Sequence, residues 1–174
     1  MRVERDAVDQ FLFINRDLRK ANKQTIDRVT AETDNEIHWD GVFKRLPGSA
    51  TRSRFADQRT YTYNGKTIDH QVHFGEDLAS NARSPVPAAN GGKVAFAEYL
   101  GIYGNTVILR HGGIYTTLYA HMSKMGKGIR SGKGVTQGQV IGYVGRTGWA
   151  TGNHLHYEFR INGQHKNPLK VDLP

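Results

Sequence analysis

The sequence predicts a mainly β domain, an antiparallel sandwich or small barrel, preceded by a short helical segment. From about residue 51 onward, short apolar stretches alternate with turns rich in Gly, Asn and Pro. The chain also has 20 glycines, which suit many tight turns. Apolar residues at helical spacing occur mainly in residues 4–33. We therefore divide the chain into an N-terminal helical or linker segment, residues 1–50, and a β domain, residues 51–174.

The N-terminal segment is highly charged, with apolar residues spaced from Val8 to Val29. This spacing predicts one or two amphipathic helices. Two roles stay open for them: a packing or linker helix, and an inhibitory or docking arm. Residues 34–50 then lead into the β domain through a Pro47-Gly48 turn.

The β domain begins with a recognisable hairpin. Residues 59–63 alternate as a strand does, and Asn64-Gly65 after them is a strong hairpin turn signal. Further strands are predicted at 92–97, 105–110, 114–120, 139–144 and 154–161. Short strands divided by turns, with almost no helix among them, are typical of a sandwich or barrel.

Composition excludes several classes of site. The chain has no cysteine, so it has no disulfide, no cysteine-ligated zinc and no thiol nucleophile. Its net charge of +8 lies entirely in residues 51–174, where fifteen basic residues face seven acidic ones. A basic domain attracts polyanions, but no nucleic-acid recognition motif is present, and an anionic cell wall fits the charge equally well.

The chain shows no targeting or membrane-spanning pattern. It contains no apolar run of about 18 residues. Its first residues lack the apolar core of a signal peptide. We therefore expect either a cytoplasmic protein or a fragment of a longer exported one.

Two histidines lie two positions apart in His154-Leu155-His156. On a strand, residues i and i+2 share a face and lie roughly 6.6–7 Å apart along it. His154, His156 and Glu158 then form a polar face, while the apolar residues between them belong to the core. One imidazole of this face can bind a metal ion while the other lies beside it. The alternative is a pair of exposed strand histidines.

A second cluster joins His73 and Asp77, four positions apart. A straight strand would separate these side chains by roughly 13 Å, too far for one ion. A shared metal therefore requires a bend, which Gly75 can supply. Imidazole nitrogen and carboxylate oxygen both bind zinc, although such pairs also occur by chance. We expect nearby His70 to be a surface residue.

The remaining histidines carry less information. In Tyr119-Ala120-His121, strand alternation puts Tyr119 and His121 on one face, so Tyr119 is a candidate for substrate binding. A single histidine at a strand end is otherwise more often structural. His111 precedes two glycines and is interpreted as a turn residue. His38 and His165 have no evident partner and receive no role.

Residues 52–170 resemble the lysostaphin-type (LytM-type) zinc metalloendopeptidases, which cut peptidoglycan cross-bridges. The end of the chain is similar to the Gram-negative murein endopeptidase branch. The resemblance rests on a series of motifs in the family's order: His73-Phe74-Gly75-Glu76-Asp77, Pro85-Val86-Pro87, Gly104-Asn105-Thr106-Val107, Tyr119-Ala120-His121, Gln137-Gly138-Gln139-Val140-Ile141-Gly142, Gly145-Arg146-Thr147-Gly148, His154-Leu155-His156-Tyr157-Glu158 and Asn167-Pro168.

The resemblance implies a fold and a site. It implies a mostly antiparallel sheet with a groove above it, similar to a duplicated hybrid motif. It implies one Zn²⁺ per chain on His73, Asp77 and His156, with His121 and His154 as catalytic histidines that do not bind the ion.

It also implies a substrate and a compartment: peptidoglycan peptide stems, cut at D-Ala–diaminopimelate bridges in the periplasm or cell envelope, by a monomer. Glu76 departs from the family pattern, which usually has an apolar residue there, and we expect Glu76 to face solvent.

Three other functions compete with this interpretation. A catalytically inactive LytM-type module could activate another wall hydrolase, but such relatives usually lack a ligand and this chain keeps all five site positions. Residues 135–142 are similar to the scaffold of a biotinyl or lipoyl carrier, yet no convincing Met-Lys motif accompanies them. A basic nucleic-acid binder leaves the histidine clusters unexplained.

Overall fold

The computed structural model describes residues 6–168, and its N-terminal part is one continuous helical run. Asp6 caps the run, because its carboxylate accepts a hydrogen bond from the Asp9 amide at 2.8 Å. The run comprises helix α1 (Ala7–Leu12), a π-helical stretch (Phe13–Leu18) and helix α2 (Arg19–Ala31). The predicted helices are thus present. Among the described residues, no helix has both the length and the apolar character needed to cross a membrane.

The rest of the described chain is built almost entirely of strands. They are β1 (Ala50–Ser53), β2 (Gln58–Tyr63), β3 (Lys66–Val72), β4 (Glu76–Ala79), β5 (Pro85–Pro87), β6 (Gly92–Leu100), β7 (Gly104–Gly112), β8 (Tyr115–Met122), β9 (Lys124–Met125), β10 (Gly134–Val135), β11 (Val140–Tyr143), β12 (His154–Ile161) and β13 (Gln164–Lys166). Each strand predicted from the sequence is found, and between residues 51 and 168 the only helical element is a 3₁₀ turn at Gly101–Tyr103. The mainly β fold class is confirmed.

One large antiparallel sheet organises the fold. Seven of its strands run in the order β1-β4-β12-β8-β7-β6-β10, and β13 pairs with β12 beside them. The order matters for function, because β4 and β8 flank β12 directly: His156 lies opposite Asp77 on one side and opposite Ala120 on the other. The sheet therefore places all three candidate motifs on adjacent strands. Strands β5-β11-β9 form a smaller sheet, and β2-β3 form a hairpin.

The two faces of the large sheet carry separate apolar clusters. Val107, Leu109 and Tyr119 pack with Val86 and Ile141 from the smaller sheet. The alternate residues of β7 and β8, which include Ile108 and Leu118, pack against Ile26 of α2. Ile26 is fully buried, so α2 does pack on the sheet. The division of the chain at residue 50 stays a prediction.

Polar contacts fix the helical run at two points. Asn15 of the π-helical stretch donates to Asp69 of the hairpin at 2.7 Å. Farther along, Asn22 accepts from the Ile102 amide at 2.9 Å. The run therefore bridges the hairpin and the large sheet, and it lies along the edge of the space between them.

His111 is a core residue, so its interpretation as a turn residue is wrong. It lies within β7 and has no exposed surface. Its Nδ1 donates to the Gly91 carbonyl at 2.5 Å, and its Nε2 accepts from the Thr117 hydroxyl at 2.7 Å. Thr117 in turn contacts the Tyr119 hydroxyl at 3.0 Å. The sequence Arg110-His111-Gly112-Gly113 resembled a turn because its glycines end β7, one residue after the buried histidine.

Acid is expected to destabilise the protein through His111. Burial lowers the pKa of His111 from 6.5 to about 4, so the unfolded chain binds the proton more tightly. Stability from this group is complete above pH 6.5 and falls by roughly 3 kcal/mol as the pH drops to about 4. Denaturant unfolding at several pH values should show a smaller acid-dependent loss for His111→Gln. His70→Gln, at an exposed histidine, is the control, and parallel curves for the wild type and His111→Gln contradict the assignment.

Candidate functional site

The side chains of strand β12 alternate between the two faces of the sheet, as the sequence predicts. Leu155 and Tyr157 enter the apolar cluster. The His156 imidazole points to the other side, where its Nε2 lies 3.0 Å from Glu158. The polar set of β12 therefore faces away from the core.

The bend at Gly75 brings His73 and Asp77 together. His73 Nε2 lies 3.0 Å from Asp77 Oδ1, instead of the roughly 13 Å expected in a straight strand. A side chain at Gly75 is excluded, because a Cβ there would lie 2.6 Å from the His156 ring. The glycine thus permits both the bend and the close approach of β12.

Three donor atoms converge at this point. Asp77 Oδ1 lies 3.0 Å from His73 Nε2 and 2.8 Å from His156 Nδ1, and the two nitrogens are 3.1 Å apart. Ligands of a tetrahedral zinc ion, bound at about 2.0–2.1 Å, lie about 3.3 Å from one another. The spacing of this group, which is also recognisable as a candidate metal cluster, therefore fits one zinc ion.

The outer partners of the two imidazoles fix their tautomers. His73 Nδ1 lies 3.0 Å from the Arg54 carbonyl, which can only accept, so Nδ1 carries the proton. His156 Nε2 faces the Glu158 carboxylate, so it carries the proton of that ring. When both rings are neutral, the remaining lone pairs lie on His73 Nε2 and His156 Nδ1, the two atoms that converge on Asp77. Hydrogen-bonded outer partners of this kind orient metal-binding histidines in proteins.

The electrostatics of the group favour a cation. Burial raises the pKa of Asp77, but hydrogen bonds from His156 and His73 outweigh it and hold that pKa well below its usual range. Burial lowers the pKa of His156, yet its contacts with Asp77 and Glu158 raise it to about 9. Both directions indicate surroundings that stabilise positive charge between these side chains. Arg59 also lies 3.1 Å from Asp77 Oδ2 and orients the carboxylate.

A β-bulge turns His121 toward the same space. Between matched pairs of β7 and β8, strand β8 has two residues, Ala120 and His121, where β7 has only Thr106. His121 takes a left-handed backbone with φ 61°, which costs a non-glycine residue about 1 kcal/mol. The bulge reverses the alternation, so His121 faces the cavity while Met122 joins the core.

The two further histidines lie in contact with each other in the cavity wall. The ring centres of His121 and His154 are 4.8 Å apart. Each donates Nδ1 to a backbone carbonyl at 2.9 Å, His121 to Thr147 and His154 to Gly152. Both Nε2 atoms therefore keep a free lone pair. Burial lowers the pKa of His121 to about 3, so its imidazole is neutral near pH 7.

Tyr119 is not brought to the cavity, so the geometry gives no support to its predicted role in substrate binding. It is 1% exposed and belongs to the apolar core. Its hydroxyl accepts from the Ala89 amide at 2.9 Å, away from the site. The expectation failed because it assumed an unbroken strand, whereas the bulge separates the faces of Tyr119 and His121.

A cavity of about 510 Å³ lies beside the histidines, and the helical run forms one of its walls. Its lining comprises Phe11, Arg19, Arg59, Tyr61, Gln71, Val72, His73, Phe74, Asp77, Ile102, Tyr103, His121, Trp149, Ala150, Thr151, His154, His156 and Glu158. The sequence analysis missed Phe11, Arg19, Tyr103 and Trp149. A local motif does not mark them, since they enter the site through contacts between segments far apart in the chain.

Several surface expectations also change. Glu76 does not face solvent, because it is 1% exposed and forms an ion pair with Arg45 at 3.0 Å. His38 and His165 do have partners: Asp34 at 2.9 Å and Glu158 at 3.2 Å, respectively. His70 is exposed, as expected. Thus His165 supports the buried carboxylate that orients His156.

Comparisons with known proteins identify the family of this chain. The model for Peptidase family M23 matches residues 71–168. Peptidoglycan DD-endopeptidase ShyC of Vibrio cholerae is 40% identical over 135 residues, which cover 76% of this chain and 30% of ShyC. DD-carboxypeptidase/endopeptidase Mpg of Neisseria meningitidis is 46% identical over 104 residues, which cover 60% of this chain and 24% of Mpg. The match thus spans only about a quarter to a third of these relatives.

Solved structures show the same fold. A zinc-containing peptidase from Vibrio cholerae has a TM-score of 0.64 and 28% identity, covering 82% of this chain and 41% of that one. The catalytic domain of lysostaphin from Staphylococcus simulans has a TM-score of 0.58 and 27% identity, covering 70% and 90%. Since the family model matches more than half of the sequence, this chain belongs to Peptidase family M23.

Proposed function

We propose that this protein is a zinc-dependent endopeptidase that hydrolyses peptide cross-links of bacterial peptidoglycan. The observation that carries the proposal is the convergence of His73 Nε2, Asp77 Oδ1 and His156 Nδ1 within 3.1 Å of one another. When both imidazoles are neutral, His73 Nε2 and His156 Nδ1 direct lone pairs toward each other and toward a charged carboxylate, and a cation shared by the three atoms relieves this repulsion. The relatives named as DD-endopeptidases support the same class of reaction.

His73, Asp77 and His156 would hold the ion, and His121 and His154 would handle protons. When bound, Zn²⁺ polarises the scissile carbonyl and lowers the pKa of water toward about 7. The Nε2 atoms of His121 and His154 face the cavity with free lone pairs, each fixed by a backbone carbonyl. One of them would accept the proton as water attacks the amide, and the other, having taken a proton from solvent beforehand, would donate a hydrogen bond to the developing oxyanion. The accepted proton then passes to the leaving amine.

The proposed substrate is the D-Ala–diaminopimelate bridge of peptide stems in the cell envelope. The basic surplus of residues 51–174 suits an anionic wall. The site needs no second copy, because every proposed ligand and catalytic histidine comes from one chain, so we propose a monomer. The alternative of an inactive regulatory module is disfavoured, because all five positions are both present and assembled.

Removal of metal is expected to abolish hydrolysis reversibly. Purified cross-linked muropeptides should be cut to monomers that mass analysis identifies by their new D-Ala carboxyl end. Treatment with a chelator followed by desalting should reduce the rate to background, and stoichiometric Zn²⁺ should restore it.

Undiminished hydrolysis by demonstrably metal-free protein contradicts a zinc-dependent reaction. Stoichiometric zinc together with no cleavage of any bridge would favour the regulatory module instead.

A further inference from the structure

Arg19, on the helical run, holds its guanidinium at the cavity wall. Its Nε donates to the Asn15 carbonyl at 3.2 Å, and its Nη2 donates to the Asn15 side-chain oxygen at 3.0 Å. Among residues 6–168, no group forms a hydrogen bond with the Arg19 Nη1. The guanidinium is therefore anchored on one edge, with donors left over on the other.

Asn15 is itself rigidly placed. It has no exposed surface, and its side-chain nitrogen donates to Asp69 Oδ2 at 2.7 Å. That bond orients the amide, so that its oxygen is the atom presented to Arg19. Asn15 lies in the π-helical stretch, and such stretches occur frequently at functional sites. Asn15 and Asp69, which are more than fifty residues apart in sequence, thus together hold Arg19 in position.

Among the charged groups that line the cavity, Arg19 differs from the others in its ion pairing. Arg59 is paired with Asp77 at 3.1 Å, and Glu158 is paired with Arg160 at 2.8 Å. Within residues 6–168, no carboxylate lies within 4 Å of the Arg19 guanidinium. A partly buried guanidinium with unused donors is suited to a planar oxyanion.

Aromatic rings shape the space around this guanidinium. Arg19 lies over the Trp149 ring at 5.9 Å from its centre. Phe11 contacts Trp149 with ring centres 5.4 Å apart, and it contacts Tyr61 at 5.0 Å. These rings limit the directions in which the side chain can move, and they join the helical run to both sides of the cavity.

We propose that Arg19 is a specificity residue that binds a substrate carboxylate next to the scissile amide. This inference rests on the proposed function, because it concerns the same cavity. In diaminopimelate, each amine-bearing carbon also bears a carboxyl group. A D-Ala–diaminopimelate bridge therefore has a carboxylate on the carbon attached to the leaving nitrogen, and Arg19 lines the same cavity as the three proposed ligands. Arg19 distinguishes this acceptor from one whose carboxyl group is amidated.

Two synthetic cross-linked peptides test the inference, one with that carboxyl group free and one with it as a primary amide. The wild type should cleave the free acid with a kcat/KM about 10–100-fold higher, as expected for a charge-assisted hydrogen bond. Arg19→Gln should lose this preference, mainly by a higher KM for the acid. Arg19→Lys should retain part of the preference, since lysine keeps the positive charge but lacks the paired N–H donors of the planar guanidinium.

Lys20→Gln is the matched control, because it removes the same charge from an exposed position on the same helix outside the cavity. It should behave as the wild type on both peptides. Equal losses on acid and amide in Arg19→Gln would show a structural role only, and unchanged rates on both would show that Arg19 does not contact substrate; either result overturns the inference.

Calorimetric binding of both peptides to zinc-loaded protein separates this inference from the proposed function. A preference for the acid that Arg19→Gln abolishes supports the carboxylate site even if neither peptide is cleaved, in which case the proposed hydrolysis fails. Cleavage of both peptides with equal affinity and equal rate leaves the endopeptidase proposal intact and refutes the role of Arg19.

Discussion

Replacing His73, Asp77 or His156 by Ala is expected to remove both bound zinc and hydrolysis. Each supplies one of three atoms that lie 2.8–3.1 Å apart, so losing any one leaves only two protein ligands. Mutation of an outer partner of a metal ligand typically costs about 10–100-fold in metal affinity, so loss of a ligand itself should cost more. Zinc content measured by mass spectrometry after dialysis should fall to background in all three variants.

Stability must be measured alongside, because these side chains are mostly buried. His156→Ala leaves Glu158 without one of its partners, but Arg160 and His165 still contact that carboxylate at 2.8 and 3.2 Å. We therefore expect the variant to fold, with an unchanged circular dichroism spectrum. His70→Ala, at an exposed histidine, should retain full zinc and activity. A complete zinc complement in folded His156→Ala would refute the ligand set.

Local sequence rules predicted the parts of the site that depend on local geometry. The alternation of β12 determines that His156 and Leu155 face opposite sides, and the separation of His73 from Asp77 required a bend at Gly75. These inferences succeeded because strand periodicity and the freedom of glycine act over a few residues. The positions of the strands followed from the same turn signals.

The same rules failed where a distant segment decides the outcome. Glu76 is polar in sequence, but its side chain is buried and pairs with the exposed Arg45 from the loop before β1. His121 was predicted to share a strand face with Tyr119. No local motif indicates that β8 carries one more residue than β7 at this point. Phe11 and Arg19 reach the cavity only through contacts with residues more than forty positions away. Pairing register and long-range ion pairs are properties of the whole fold.

Replacing His121 or His154 by Ala is expected to abolish most activity while leaving zinc in place. Neither ring belongs to the converging triad, and each is held by its own backbone carbonyl at 2.9 Å. A positioned proton-transfer group contributes typically about 10²–10⁴-fold to a rate, so kcat should fall by that order in either variant. Removing both should cost much less than the product of the single losses if the two histidines serve one transition state.

Zinc content and the rate of cleavage, measured on the same preparations, distinguish this role from that of a ligand. A loss of zinc in His121→Ala equal to that in His73→Ala would make His121 a ligand, and its left-handed backbone would then serve coordination. Full activity in His121→Ala would remove the reason for the bulge at Ala120-His121. The strain of about 1 kcal/mol at His121 is understandable only if the imidazole is needed where the bulge puts it. An ordinary β8 would bury this ring with Tyr119 in the core, out of reach of any substrate.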